Sequence, residues 1–281
     1  MIDRHHKLFR HAIPLIASEN IPSPAVREAL ACDFGNRYAE GWPGERLYAG
    51  CRYIDEVEEI ALELAKRVYE AEFADVRPIS GVMANLVAYT VFTKPGDLMI
   101  ALPIPYGGHI SHGKEKWGGT AGVVRGLKVD RYEFDEENFE IDVDATRRRI
   151  ERKGLKPKLF MLGASIFLFP HPVREVAELA AEFDARVVYD AAHVAGLIAG
   201  KVFQDPLREG ADMVTLSTHK TLAGPQHGMV LSWNRYAEDI KRAVFPGLHS
   251  NHHLHAVAGV AVALAEALAF YREYARKIVE N

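Results

Sequence analysis

The chain has 281 residues, 48% hydrophobic and 26% charged, with 34 Lys and Arg against 38 Asp and Glu and a net charge of −4. This is ordinary globular composition, enough for one large domain or a large one plus a small one, and the absence of any long basic or acidic block argues against nucleic acid or a membrane surface as partner. Two cysteines, Cys32 and Cys51, are too few for a disulfide framework and suit a reducing, cytoplasmic setting; the polar residues 1–7 do not read as a signal peptide, and the apolar stretch 256–270, interrupted by Glu266, reads as too short to span a bilayer.

Leu15-Ile16-Ala17-Ser18-Glu19-Asn20 is an apolar segment ending in polar groups, and Ser23-Pro24 then caps and opens a short helix through Leu30. Glycines and a proline mark residues 37–50 as an irregular loop, unusual in setting Tyr38, Glu40 and Tyr48 among glycines that let backbone approach something closely. Val57, Ile60, Ala61, Leu64 and Val68 recur at three and four residues, which predicts a helix over 54–70. A short strand is expected over 73–77. Ser80-Gly81-Val82 then opens a helix through Thr93; such a turn suits either an ordinary serine cap or a phosphate held on free N–H groups.

A strand over 97–102 leads into the glycine-broken loop Pro103-Ile104-Pro105-Tyr106-Gly107-Gly108-His109-Ile110-Ser111-His112. His109 and His112 sit three apart, but no Cys or carboxylate nearby completes a metal set. A histidine here can also stack on a flat heteroaromatic ring or move a proton. Residues 118–142 resist assignment; Val123-Val124 and Tyr132-Glu133-Phe134 are the candidate strand pieces. Beyond them a helix is expected over 144–152, a strand over 158–162, a helix over 173–183, strands over 186–189, 212–216 and 228–233, and a long helix from about Leu254 onward. His249, His252, His253 and His255 match no zinc spacing. No dinucleotide or P-loop glycine fingerprint occurs.

Strands alternate with helices, so the class is α/β with a largely parallel sheet. In such sheets ligands sit outside the carboxyl ends of the strands. Ser165, Asp190 and Lys220 each fall just past a strand. Lys220, in Ser217-Thr218-His219-Lys220-Thr221, taken alone reads as a solvated loop lysine. With Asp190 and Ser165 in register it reads as a Schiff-base lysine for pyridoxal 5'-phosphate (PLP), which needs a carboxylate for the ring nitrogen and anchors for the phosphate.

At this point the sequence resembles the serine hydroxymethyltransferases, and within them an archaeal-like branch, along essentially the whole chain. The resemblance rests on the 15–20 segment, on Tyr38-Ala39-Glu40-Gly41-x-Pro43-Gly44 with Tyr48, and on Gly107-Gly108-His109. It rests also on Asp190-x-Ala192-His193-x-Ala195-Gly196-Leu197 and on Thr218-His219-Lys220-Thr221-Leu222-x-Gly224-Pro225. It implies the aspartate-aminotransferase-like fold (PLP fold type I), with an N-terminal segment and substrate loop over 1–50, a PLP-binding large domain over 51–281, and the family's C-terminal small domain outside this chain. It implies conversion between serine and glycine, with the one-carbon unit passed to a reduced pterin, tetrahydrofolate or a methanopterin. The roles it implies are Lys220 bonded to the cofactor, Asp190 on the ring nitrogen and His109 stacked on the ring. Ser165 and His193 lie on the ring hydroxyl side, and Ser80, Gly81, Ser217 and His219 around the phosphate. Ser18, Glu40, Tyr48 and His193 face the substrate, with Glu40 moving the proton, and Ile104, Gly108 and Ile110 line the pterin site. In the family Tyr38, Glu40 and Tyr48 come from a neighbouring subunit, as does backbone near Ser250-Asn251, so a homodimer with shared sites, or a tetramer, is implied.

Val82, Gln226-His227 and Ser250-Asn251 depart from the family's common pattern. The arginine that grips the substrate carboxylate in the family belongs to the small domain. Two other expectations therefore stand beside the first: another PLP enzyme of this fold, such as a threonine aldolase or a transaldolase, and a non-catalytic PLP-binding form. The 38–48 loop favours the hydroxymethyltransferase over the second of these three.

Overall fold

The computed structural model describes residues 1–166 and 168–281. Seven strands form the central sheet: β1 (Phe73–Asp75), β2 (Leu98–Ala101), β3 (Lys128–Arg131), β4 (Pro157–Leu162), β5 (Arg186–Asp190), β6 (Met213–Ser217) and β7 (Gly228–Ser232). Their order is β1-β7-β6-β5-β4-β2-β3. Only β7 runs against the rest, paired antiparallel with β6 and with β1. The expected α/β class with a mainly parallel sheet is thus what the chain adopts.

The central strands are buried on both faces, which explains why 213–217 and 228–232 read as continuous apolar runs rather than alternating ones. Alternation still decides which face each side chain serves. Val214, Leu216, Val187, Tyr189, Phe160 and Leu162 join the core under the Arg52–Tyr69 and Leu254–Glu280 helices. Met213, Val188, Leu159 and Met161 join the opposite core with Ala84, Val87 and Ala88 of the Gly81–Phe92 helix. By the same period of two, Asp190 shares its face with Val188, and Thr215 with Met213. Both therefore look toward the Gly81–Phe92 helix.

Several expectations are corrected. Val123-Val124 is not strand: Val123 closes a short helix, Thr120–Val123, and Val124 caps it. The strand that follows it is β3, an edge strand whose polar residues hid it, with Val129 its one apolar side chain, while the expected 132–134 piece overlaps the strand Glu133–Asp135, paired antiparallel with Glu140–Asp142. The 37–50 loop contains a small hairpin, Gly41–Trp42 against Glu45–Arg46. Residues Ile2–Phe9 form a helix with no buried side chain. The last helix, Leu254–Glu280, is 27 residues long and by length and composition apolar enough to cross a membrane, contrary to the reading from residues 256–270. Here 56% of its apolar window is buried, against the Arg52–Tyr69, Pro24–Leu30 and Ala195–Ala199 helices, as in a core helix.

Candidate active site

A cavity of about 170 Å³ opens at the carboxyl ends of β5 and β6. Its wall brings together Ser80, Gly81, His109, Asp190, His193, Ser217, His219 and Lys220, all expected from the sequence, with Val82, Asn85, Ala164 and Ala192 between them. Topology explains the gathering: parallel neighbours deliver the ends of consecutive strand–loop units to one edge.

Lys220 lies just past β6, its Nζ 3.4 Å from Ser217 Oγ. The turn that holds it is pinned at both ends. Asn20 Nδ2 donates to the Lys220 carbonyl at 2.6 Å, and Thr218 Oγ1 donates to the Pro225 carbonyl at 2.6 Å. Thr221 Oγ1 donates to the His193 carbonyl at 2.8 Å, tying this turn to the one after β5. Burial lowers the Lys220 pKa, with Asp190 partly opposing. The free amine, the nucleophilic form, is thereby favoured.

Asp190 is the anionic floor. Its Oδ2 accepts from Asn85 Nδ2 at 2.8 Å and from His112 Nε2 at 3.0 Å, and its Oδ1 accepts from the Ala192 N–H at 2.9 Å. Burial alone would raise its pKa, but these donors prevail and hold it well below the usual carboxylate range. Burial and nearby Lys220 push His193 down to about 4, so it is neutral at pH 7. His109 is lowered as well, first by burial, then by His112 and Lys220, against the pull of Asp190.

One wall is the N-terminus of the 12-residue Gly81–Phe92 helix, capped by Ser80 Oγ accepting from the Met83 N–H at 3.1 Å. A Cβ at Gly81 would lie 2.3 Å from Ser217 Oγ and force that hydroxyl to turn away. Bare backbone N–H groups, the helix dipole and two hydroxyls together make an anion cradle.

Other expected residues lie elsewhere. Ser165 adjoins the cavity through Ala164, but its N–H is spent on the Gly107 carbonyl at 2.7 Å. Ile104 lines a second cleft of about 530 Å³ that shares His109 with the Lys220 cavity and is lined also by His112. Gly108 packs so tightly that a Cβ would meet the Leu102 carbonyl at 1.9 Å. Ile110 is exposed. Ser18, Tyr38, Glu40 and Tyr48 are not in the wall of the Lys220 cavity. The rings of Tyr38 and Tyr48 meet edge-on, 5.6 Å between centroids, and both are largely exposed. Glu40 pairs with Tyr48, raising that phenol's pKa.

This loop is nonetheless firmly held. Arg46 Nη1 donates to the carbonyls on either side of Glu40, Ala39 at 2.7 Å and Gly41 at 2.9 Å. Its other nitrogens reach Asp55 at 2.8 Å and buried Glu58 at 2.7 Å. Glu58 also accepts from His252 at 2.9 Å, while Asn251 Oδ1 accepts from the Ala39 N–H at 2.9 Å.

Sequence reasoning passed over Asn85 and considered His112 only as a metal ligand. Asn85 had a signal: it is the lone amide in an otherwise apolar helix. His112 had none beyond its distance from His109.

Comparison with known proteins agrees with this geometry. The family model described as "Serine hydroxymethyltransferase" matches residues 1–281. A protein of that name from Cenarchaeum symbiosum is 61% identical over 280 residues, 99% of this chain and 64% of that protein. Those from Nitrosopumilus maritimus and Methanopyrus kandleri are 59% and 56% identical, over 100% of this chain and 64% of each. The chain thus spans just under two thirds of the length of these curated relatives, and it belongs to the serine hydroxymethyltransferase family.

Proposed function

We propose that this chain carries the PLP-binding part of a serine hydroxymethyltransferase, a cytoplasmic transferase that interconverts serine and glycine and passes the one-carbon unit to a reduced pterin. The observation that carries the proposal is Lys220: an amine with a lowered pKa, in a cavity whose floor is an obligate carboxylate and whose wall is a helix N-terminus. The donor set fits PLP. The cradle at Ser80, Gly81, Ser217 and His219 suits the phosphate, and the gap that a Cβ at Gly81 would close lets backbone approach it. Asp190 suits a protonated ring nitrogen, and His109 the ring face.

When bound, PLP supplies an electron sink for the bond that breaks at the amino acid's α-carbon. The chain's own residues do the rest. Lys220, its pKa lowered by burial, offers the amine for covalent attachment. Asp190, kept anionic by Asn85, His112 and the Ala192 N–H, holds a proton at the nitrogen opposite it. His193, neutral at pH 7, offers a hydrogen-bonding edge without adding charge beside Lys220. Glu40 takes and returns the serine hydroxyl proton, the role that needs a carboxylate within reach of the substrate.

Because Tyr38, Glu40 and Tyr48 lie outside the wall of the Lys220 cavity, we assign them to the site of a second copy in a homodimer, and Ser18, two residues before the Asn20 that bonds the Lys220 carbonyl, to the substrate. The exposed Ile13, Leu15 and Ile16 beside Ser18 suit burial against that copy. The cleft along Ile104, with Gly108 and Ile110 on the same loop, is assigned to the pterin. Residues 1–50 then act as the arm and substrate loop, and 51–281 as the PLP-binding domain. The 38–48 loop favours this activity over aldolase or transaldolase chemistry on the same fold.

The test is direct. PLP-loaded protein is reduced with borohydride and its peptides are mapped by mass. The pyridoxyl group is expected on Lys220; finding it on Lys201 or Lys241 overturns the proposal.

A further inference from the structure

We propose that Ser111 and Asn85 set the tautomer of His109, fixing it as a neutral imidazole whose single N–H is at Nε2. In the site proposed above, His109 then acts as a stationary N–H donor over the ring and not as a proton acceptor.

The argument runs through a chain of donors whose direction is forced from one end. Asp190 is ionised and can only accept. The Asn85 group 2.8 Å from its Oδ2 must therefore be the NH₂, since the flipped amide would set carbonyl oxygen against carboxylate oxygen. That leaves Asn85 Oδ1 as acceptor, and Thr215 Oγ1 donates to it at 2.6 Å. The second hydrogen of the same NH₂ goes to Ser111 Oγ at 2.9 Å. Ser111 is fully buried, and having accepted this bond its hydroxyl hydrogen needs an acceptor. His109 Nδ1 lies 2.7 Å away.

A second observation points the same way. The Ser111 backbone N–H also donates to His109 Nδ1, at 3.2 Å. An amide hydrogen cannot reverse its role, so a proton on Nδ1 would face another donor directly. Nδ1 is thus an acceptor on two counts. Its neutral ring carries the proton on Nε2, which has no hydrogen-bond partner among the described residues.

Charged and titratable groups around the ring do not reverse this. Asp190 favours a cationic His109, while His112, 6.0 Å away between ring centroids, and Lys220 disfavour it. His193 is neutral.

The consequence concerns the division of labour. With Nδ1 blocked by two donors and Nε2 already protonated, His109 has no lone pair with which to take the serine hydroxyl proton. That step falls to Glu40. His109 instead presents a fixed positive edge to an oxygen of the substrate or cofactor.

Histidine-¹⁵N-labelled full chain, with and without PLP, tests this by long-range ¹H–¹⁵N correlation at pH 7, His109 being assigned from the signals missing in His109→Gln. Wild-type protein is expected to show an unprotonated Nδ1 and a protonated Nε2. Ser111→Ala keeps the backbone N–H but loses the hydroxyl, so Nδ1 is expected to stay unprotonated while its resonance moves downfield with one hydrogen bond fewer, and Ser111→Thr to restore the wild-type pattern. A proton on Nδ1 in the wild type, or on both nitrogens, overturns the proposal without any variant. So does an unchanged pattern in Ser111→Ala, which would leave Ser111's hydroxyl no role. The borohydride mapping of Lys220 reads PLP attachment independently, so failure of the cofactor assignment and failure of the tautomer assignment are separable.

Discussion

The Lys220 cavity and the 38–48 loop are both held by buried charge, yet they solve opposite problems. In the cavity, Asp190 accepts from Asn85, His112 and the Ala192 N–H, with no Lys or Arg partner among its hydrogen bonds, and its charge faces the ligand space. Under the loop, Arg46 is saturated by Asp55, Glu58 and two carbonyls, and its charge is spent entirely within the protein. The first arrangement prepares chemistry. The second presents Glu40, Tyr38 and Tyr48 rigidly on a surface that this chain's own cavity does not use. A half-buried carboxylate held outside the Lys220 cavity is what the proposed site shared between two copies requires.

The largest effect should come from separating the two regions genetically. Lys220→Ala and Glu40→Gln, each made in the whole protein, should be inactive alone. Mixed dimers of the two should regain activity, because one of the two sites then draws an intact Lys220 and an intact Glu40 from different copies. Mixed dimers verified by mass but without turnover would return Glu40 to its own chain's site.

Breaking the loop's buried charge network comes next. Arg46→Met takes the guanidinium from Asp55 and leaves buried Glu58 with His252 alone, a change that costs up to about 3–5 kcal/mol where an ion pair is buried. Urea unfolding measures it. Adding Glu58→Gln should cost far less than the two single effects together, since both act on one network. Full additivity would mean that Arg46 and Glu58 do not support the loop jointly.

His227 lies where the regions meet. Its Nε2 donates to the Val76 carbonyl at 2.8 Å, and its own carbonyl receives the Thr218 N–H. Burial drives its pKa down from 6.5 to about 3, the Val76 bond opposing and His252, His253 and His249 adding to the depression. The folded pKa is below the unfolded one, so between these values the unfolded chain binds more protons. The stabilisation is complete above about pH 6.5 and is lost as pH falls toward 3. It is on the order of 3–5 kcal/mol. His227→Gln should flatten the fall in urea midpoint over that window; an unchanged slope would place the acid sensitivity elsewhere.

The smallest expected effect is in the cavity itself. Asp190→Asn keeps the shape of the floor but removes its charge. Loss of one charge-assisted hydrogen bond is about 1.5–3 kcal/mol, so PLP affinity should weaken roughly ten- to a hundredfold. Equilibrium titration of PLP absorbance checks this, and an unchanged affinity would make Asp190 a structural group only.

Much of this molecule follows from local sequence. Strand runs such as 213–217, the 3.6-residue periodicity of 54–70 and the Ser23-Pro24 start are local physics, and those elements form where expected. Polar groups just past successive strands place Asp190 and Lys220 at one edge, because parallel strands end together. What tertiary structure alone decided is how those groups are supported. β3 exists because β2 offers it a partner, not because Lys128-Val129-Asp130-Arg131 favours a strand. Asn85, Ser111, His112, Thr215 and Asp190 are scattered over more than a hundred positions. Nothing in their spacing says that they share one hydrogen-bond network, since residue contact across a sheet depends on register and face. The same holds for Arg46, Glu58 and His252. A sequence fixes which groups can donate and accept. Only the folded chain brings donor to acceptor out of water, where each bond gains direction and an unpaired group becomes costly.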